Sequence, residues 1–354
     1  MRLRWLAILL CLSVSAARAS ELQWQAPTPA GGGGVKLSTL EQAKKRGALL
    51  CGVSASERGF ARQDEAGAWS GFDVDFCRAL AAAIFDDAAK AQILPLAAKE
   101  RVAALQSGAV DLLARGAPWT QARDASQKLL YAAATFYDGQ GFLARAKDGG
   151  APKDPPAKAS VCAPQGTSYE LDLAEYIRAR KLDYEIRPFP TLEEAAKAYD
   201  AGGCDLLSAD ISALHALRAG LAAPAEHRLL PQMISKAPLG PVVRQGDDQW
   251  FSIVRWTHFA MVDAEELGVA QNTVDDALKS ENPQIRRLLG VDGDHGEGLG
   301  LTPDWAYRIV KHVGNYGEVF ERHLGKGAAP APALERRLNA LWTDGGLIFA
   351  PAVR

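Results

Sequence analysis

The sequence predicts an α/β protein built as two similar lobes. Short apolar runs bounded by Gly and Ser alternate with helical segments, the pattern of largely parallel sheets flanked by helices. An internal repeat points to two lobes. Ala104-Leu-Gln-Ser-Gly-Ala-Val-Asp-Leu-Leu-Ala114 resembles Ala198-Tyr-Asp-Ala-Gly-Gly-Cys-Asp-Leu-Leu-Ser208. Each copy reads as a helix end, a glycine stop, an aspartate and a buried strand. Between the copies, Lys147-Asp-Gly-Gly-Ala-Pro-Lys-Asp-Pro-Pro156 marks a boundary.

The chain opens with residues outside that pattern. Residues 1–4 are basic, 5–16 apolar, and Ala17-Arg18-Ala19 is a small-x-small cleavage signal, so 1–19 reads as a secretory signal peptide rather than a retained anchor. A lipoprotein signal at Cys11 is disfavoured, because Leu10 stands where a small residue is needed. Residues 20–37, with Pro27, Pro29 and four consecutive glycines from Gly31, form a flexible leader. Ser38-Thr39 then caps a helix over 40–46 that Gly47 ends, and a strand follows over 48–53.

The same alternation continues. A helix is expected over 76–85, a strand over 91–96, a helix over 99–106 stopped by Gly108, and a strand over 110–114. The second lobe offers a strand over 159–163 and a helix over 170–180. Thr191-Leu-Glu-Glu194 is a capping box for the next helix, and a strand follows over 204–208. Residues 233–245, strand-like with Pro238 and Pro241, carry the chain back to the first lobe. Helices over 248–266, 273–280, 283–289 and 303–313 make up most of the rest, with an interruption at Gly314-Asn315-Tyr316-Gly317. The expected division is lobe one over 38–141 and 237–354, and lobe two over 142–236.

Composition excludes several function classes. Of 354 residues, 48% are hydrophobic and 23% charged, enough to bury a sizeable core. Lys+Arg number 40 against 42 Asp+Glu. Losing 1–19 would remove Arg2, Arg4 and Arg18, leaving 37 basic side chains against 42 acidic ones. No basic stripe exists to neutralise phosphates, so nucleic acid is not a partner. Past the N-terminus no apolar run of about twenty residues occurs, so no spanning helix is expected.

Export leaves Cys51, Cys77, Cys162 and Cys204, an even count that favours two disulfides in an oxidising compartment. Three pairings are possible, with four buried free thiols as the alternative. No C-x-x-C spacing suggests zinc or redox chemistry. The six histidines show no H-E-x-x-H, and neither G-x-S-x-G nor a P-loop is present, so no cofactor is expected and the chain cannot itself drive transport. Asp292-Gly-Asp-His-Gly-Glu297 lacks the EF-hand order and reads as an exposed loop.

Ligands of open α/β sheets bind beyond the carboxyl ends of strands. After strand 110–114 come Gly116, Ala117, Pro118, Trp119, Thr120 and Arg123; after strand 204–208 come Ala209 and Asp210. A guanidinium fork fits a carboxylate and an aspartate fits an ammonium, so this pair across a cleft matches an α-amino acid zwitterion. Local pairing or solvation of both groups is the alternative. Gly166-Thr167-Ser168 opens a helix, where backbone N–H groups favour anions and either hydroxyl could serve as a cap.

Further segments carry a family resemblance. They include Gly71-Phe-Asp-Val-Asp75, Tyr137-Asp-Gly-Gln-Gly-Phe142, Asp200-Ala-Gly-Gly-Cys-Asp205, Pro238-Leu-Gly-Pro-Val-Val-Arg-Gln-Gly-Asp-Asp-Gln-Trp250 and Asn315-Tyr-Gly-Glu-Val-Phe320. Across residues 39–354 the chain resembles periplasmic solute-binding proteins of polar amino acid ABC importers, especially the general L-amino-acid-binding branch. The resemblance implies the type II two-lobe periplasmic binding fold, with a cleft between the lobes and a helical C-terminal extension. It implies a monomeric periplasmic receptor, without catalytic residues, that delivers a small zwitterion to an inner-membrane permease with a separate ATPase subunit.

Carried over by residue, Arg123 would grip the ligand carboxylate and Asp210 the ammonium. Thr167 and Ser168 would add donors, Gly116, Trp119 and Thr120 would form the lobe-one wall, and Phe60 would lie near the ligand side chain. The cysteines would pair within each lobe, Cys51 with Cys77 and Cys162 with Cys204. This chain departs from the branch where Gly116-Ala117-Pro118 replaces Asn-Thr-Thr, removing two hydroxyls and an amide from that wall. Two other functions compete: a dehydratase-like enzyme of the same fold, using Glu57 or Glu170 as a general acid, and a periplasmic accessory or sensor with an altered ligand.

Overall fold

Ser38 begins the described fold in the way its sequence asks: its hydroxyl accepts from Glu41 N while the Glu41 carboxylate accepts from Ser38 N. The structure, a computed structural model, describes residues 37–54, 57–97, 100–114, 118–146, 156–328 and 333–354. The signal peptide, the leader through residue 36, and Gly116 with Ala117 lie outside the described residues.

In chain order the first sheet and its helices comprise α1 (Thr39–Arg46), β1 (Leu49–Ser54), the small hairpin of β2 (Arg62–Gln63) and β3 (Trp69–Ser70), α2 (Phe72–Phe85), β4 (Ala91–Leu96), α3 (Arg101–Ser107), β5 (Leu112–Ala114) and β6 (Leu129–Tyr131). The crossing strand β7 (Phe136–Asp138) leads into β8 (Gln140–Arg145), β9 (Lys158–Pro164), α4 (Ser168–Arg180), β10 (Asp183–Phe189), α5 (Leu192–Asp200), β11 (Leu206–Asp210), α6 (Ile211–Arg218) and β12 (His227–Leu229). The chain returns through β13 (Ala237–Leu239) and β14 (Pro241–Arg244). It ends in α7 (Asp248–Glu266), α8 (Val274–Ala277), α9 (Pro283–Leu288), α10 (Trp305–His312) and α11 (Tyr316–His323).

Two five-stranded sheets result, ordered β4-β1-β5-β14-β6 and β10-β9-β11-β8-β12. This is a two-lobe α/β fold. The expectation of largely parallel sheets needs correcting. Four strands of each sheet point the same way, but one runs against them between two of the others: β14 is antiparallel to β5 and β6, and β8 is antiparallel to β11 and β12. Both antiparallel strands adjoin the crossings, where β7 and β13 pair antiparallel between the sheets. Gly139 lies at that passage. A Cβ there would sit 2.3 Å from Ser235 O, so a larger residue would push the two crossing segments apart.

Other boundaries moved for local reasons. Helix α2 starts at Phe72 rather than 76. Gly71, at φ 139°, breaks the preceding strand, and Asp73 and Asp75 suit the positive end of the helix. Thr191 accepts from Glu194 N, but only that half of the expected capping box forms. Strand β10 gave no apolar run to read, because its edge position leaves alternate residues exposed.

The repeat has a physical role. Asp111 Oδ2 accepts from Leu50 N at 2.8 Å, and Asp205 Oδ2 accepts from Ser160 N at 2.8 Å. In each lobe the aspartate before one parallel strand satisfies the backbone of its neighbour. One hydrophobic cluster unites β1 and α2 with α7, α10 and α11, so the C-terminal helices share the first lobe's core. The second sheet is covered on both faces, by α5 and α6 on one side and α4 on the other. Cys51 is joined to Cys77, tying β1 to α2, and Cys162 to Cys204, tying β9 to the approach to β11, next to Asp205.

Candidate functional site

Four strand ends frame the site. In the first sheet, β1 leads to the loop bearing Glu57 and Phe60, and β5 leads to Pro118, Trp119, Thr120 and Arg123. In the second, β9 leads to Thr167 and Ser168, and β11 ends on Asp210.

Arg123 is half-buried, and its Nη1 donates to Pro118 O at 2.6 Å. The same carbonyl accepts from Tyr131 OH at 3.2 Å. Pro118 lacks an N–H, yet its carbonyl is the anchor that orients this guanidinium. A guanidinium carries five donors, more than these contacts engage. Thr120 Oγ1 accepts from Arg123 N at 3.4 Å. Trp119 stacks on Tyr131 with ring centroids 5.3 Å apart, and its Nε1 donates to Asp124.

On the other side, Asp210 is half-buried at the start of α6 but does not cap it. Its Oδ2 accepts from Tyr169 OH at 2.8 Å. Burial pushes the Asp210 carboxyl up from its usual range; the Tyr169 bond opposes this, and the charges of Glu57 and Asp172 add to it. Behind it, buried Asp138 accepts from Gly139 N at 2.9 Å and from Ser212 N and Oγ. Burial, then the Asp210 charge, pushes Asp138 up as well. Gln140, fully buried, donates to Tyr169 O and Ser208 Oγ and so fixes the turn that presents Tyr169.

Thr167 and Ser168 do not cap α4. Thr167 Oγ1 donates back to Pro164 O at 2.8 Å, and Glu170 accepts from Gly166 N at 2.8 Å. Phe60 is 4% exposed, packs edge-on against Phe136 at 5.1 Å, and lines a cavity of about 620 Å³ between Glu57, Arg58 and the α5–α6 residues Ala196 and Ser212. The structure therefore gathers Asp210, Asp138 and Tyr169 into one group, and Arg123, Pro118, Thr120 and Trp119 around Tyr131 into another. Among the described residues no ion pair joins Arg123 to Asp210. Sequence reasoning passed over Tyr169 and Asp138, although both lie in or beside segments it singled out. An aromatic hydroxyl in the first turn after a glycine loop was the readable signal for the first.

This geometry can be set beside known proteins. The family model of bacterial extracellular solute-binding proteins, family 3, matches residues 49–273. The chain belongs to that family. The general L-amino acid-binding periplasmic protein AapJ of Rhizobium johnstonii is 47% identical over 326 residues, 92% of this chain and 95% of that protein. The putative amino-acid ABC transporter-binding protein YhdW of Escherichia coli K12 is 48% identical, covering 90% and 93%. A solved periplasmic binding protein from Brucella ovis, with glutathione bound, is 47% identical, covers 90% of this chain and all of that one, and superposes with a TM-score of 0.80. This solute-binding protein therefore has the two-lobe periplasmic binding fold, with Arg123 and Asp210 on opposite lobes.

Proposed function

We propose that this solute-binding protein is a periplasmic receptor for an amino acid or related small zwitterion, which it passes to an ABC importer permease. The observation that carries this reading is Asp210. Its carboxylate is aimed from a strand end among like charges, and no cationic side chain of the described residues reaches it. A ligand ammonium supplies that partner, and Arg123 on the other lobe supplies the match for the ligand carboxylate.

In this reading lobe one is residues 38–141 and 237–354, lobe two is 142–236, and β7 with β13 is the hinge. Residues 1–19 are removed on export, the mature chain acts as a monomer, and it carries out no reaction. Thr167, Ser168 and Thr120 offer hydroxyls near the ligand, Trp119 belongs to the wall, and Phe60 lies near the ligand side chain. Glutathione, which the Brucella ovis relative holds, carries both an α-amino acid zwitterion and a second carboxylate, so it belongs in the test panel with the amino acids.

Calorimetry of the mature chain against L-amino acids and glutathione tests the reading. Saturable binding of at least one zwitterion, lost in Arg123→Ala and in Asp210→Asn, is expected. Binding that survives both substitutions would overturn the assignment of the site.

A further inference from the structure

The C-terminal end of α7 is charged against its own dipole. The carbonyl end of a helix carries partial negative charge and favours cations. Yet the last turn of α7 holds Asp263, Glu265 and Glu266 and no basic residue. Glu265 is balanced by Arg336. Among the described residues no cation balances the other two. Asp263 is 7% exposed, and its Oδ2 has no hydrogen-bond partner among the described residues. Among the described residues Glu266 accepts from the Trp342 indole alone, at 3.1 Å.

These carboxylates line a cavity of about 280 Å³ whose other walls include Trp342, Phe349 and Leu288. Trp342 and Phe349 are 54% and 56% exposed and meet edge-to-face at 6.1 Å. Large aromatic rings left half in water beside unbalanced carboxylates have the composition of a cation site. The acids supply charge, the ring faces supply cation–π attraction, and the apolar floor accepts a hydrocarbon stem. We propose that this cavity binds an organic cation, an alkylammonium or guanidinium on an apolar stem, with its charge against Asp263 and Glu266 and its stem along Trp342 and Phe349. Burial and the Glu266 charge push Asp263 up to about 7, which agrees with a carboxylate that lacks its counter-charge. The site is independent of the interlobe cleft and does not rest on the reading given for it.

The same chemistry is available from a free solute or from a lysine or arginine of a docked protein. The test follows the Trp342 indole N–H by NMR, assigned with Trp342→Phe, while the mature chain is titrated with n-butylguanidinium chloride. Equal n-butanol and sodium chloride are the controls. A saturable shift with the guanidinium alone is expected, with affinity falling about tenfold in Asp263→Asn and by less in Glu266→Gln, while cleft binding stays unchanged. Entry of an acetyl-Gly-Arg-Gly-amide peptide would assign a protein side chain as the source, and exclusion of the peptide with retained n-butylguanidinium binding would assign a free solute. If the wild-type shift is absent or never saturates, or if neither acidic variant weakens it, the cavity is a structural pocket around a protonated aspartate and the proposal falls. Should Asp263→Asn fail to fold, Glu266→Gln and the wild-type titration still decide.

Discussion

Asp210 and Arg123 are held by neighbours that fix their direction without neutralising them. Tyr169 donates to the first, and Pro118 O accepts from the second. In the proposed site each therefore loses its ligand partner when truncated. Arg123→Ala leaves a ligand carboxylate unpaired in a desolvated cleft and should cost about 2–5 kcal/mol of binding, with Asp210→Asn similar for a zwitterion. If the ligand lacks an amine, only the arginine variant should weaken it, a pattern that titration calorimetry reads directly. A pH dependence follows from the raised Asp210 carboxyl. An ammonium favours the ionised form, so binding expels a proton and affinity falls as pH drops through that raised value. Calorimetry in two buffers of different ionisation enthalpy should show net proton release, and net uptake would contradict the assigned role.

Between elements, two aspartate clusters make contrasting cases. Asp75 on α2 accepts from Arg78 on its own helix and from Arg322 and His323 on α11, which clasps the C-terminal extension to the first lobe. Burial alone would raise its carboxyl, but the His323 bond and charge, then Arg78 and Arg322, hold it at about 2. Because this folded value lies below the unfolded 3.8, the stabilisation is complete above about pH 5 and is lost as pH falls through about 2. It amounts to about 2 kcal/mol. Melting curves of the wild type should therefore drop more steeply on acidification than those of Asp75→Asn.

The repeat aspartates differ in burial, since Asp111 is 2% exposed whereas Asp205 is exposed. Water can replace Asp205 at Ser160 N but cannot easily reach Leu50 N. Asp111→Ala should lose about 1–3 kcal/mol of stability and Asp205→Ala less than about 1. Equal losses in denaturant titrations would refute that distinction.

For the whole molecule, the chain passes between the two five-stranded sheets along the paired strands β7 and β13, and the proposed ligand groups lie on opposite lobes. Small-angle scattering should show contraction when a verified ligand saturates the cleft, because one molecule then bridges both lobes. A scattering curve unchanged by saturation would rule out hinge closure. Both cysteine pairs are buried and each lies within one lobe, so closure need not strain either. Protein taken from the periplasm should accordingly show no titratable thiol after denaturation.

The sequence by itself determined the alternation of strands and helices, the glycine stops, the caps at Ser38 and Thr191, and the internal repeat. These depend on local propensity and on hydrophobic period, which neighbouring residues already contain. The strand ends located by the repeat put Arg123 and Asp210 forward as a pair, and the resemblance assigned them the ligand carboxylate and ammonium. Only the tertiary structure decided that β14 and β8 run against their parallel neighbours, since strand direction depends on where the chain crosses between sheets. It also decided that Pro118 orients Arg123 through its carbonyl and that Tyr169 and Asp138 surround Asp210. Asp138, Tyr169 and Asp210 come from separate elements, and nothing in their spacing along the chain encodes their meeting. The pocket at the end of α7 belongs with them: Asp263 and Trp342 are ordinary residues in sequence, and only their packing leaves a carboxylate without a partner.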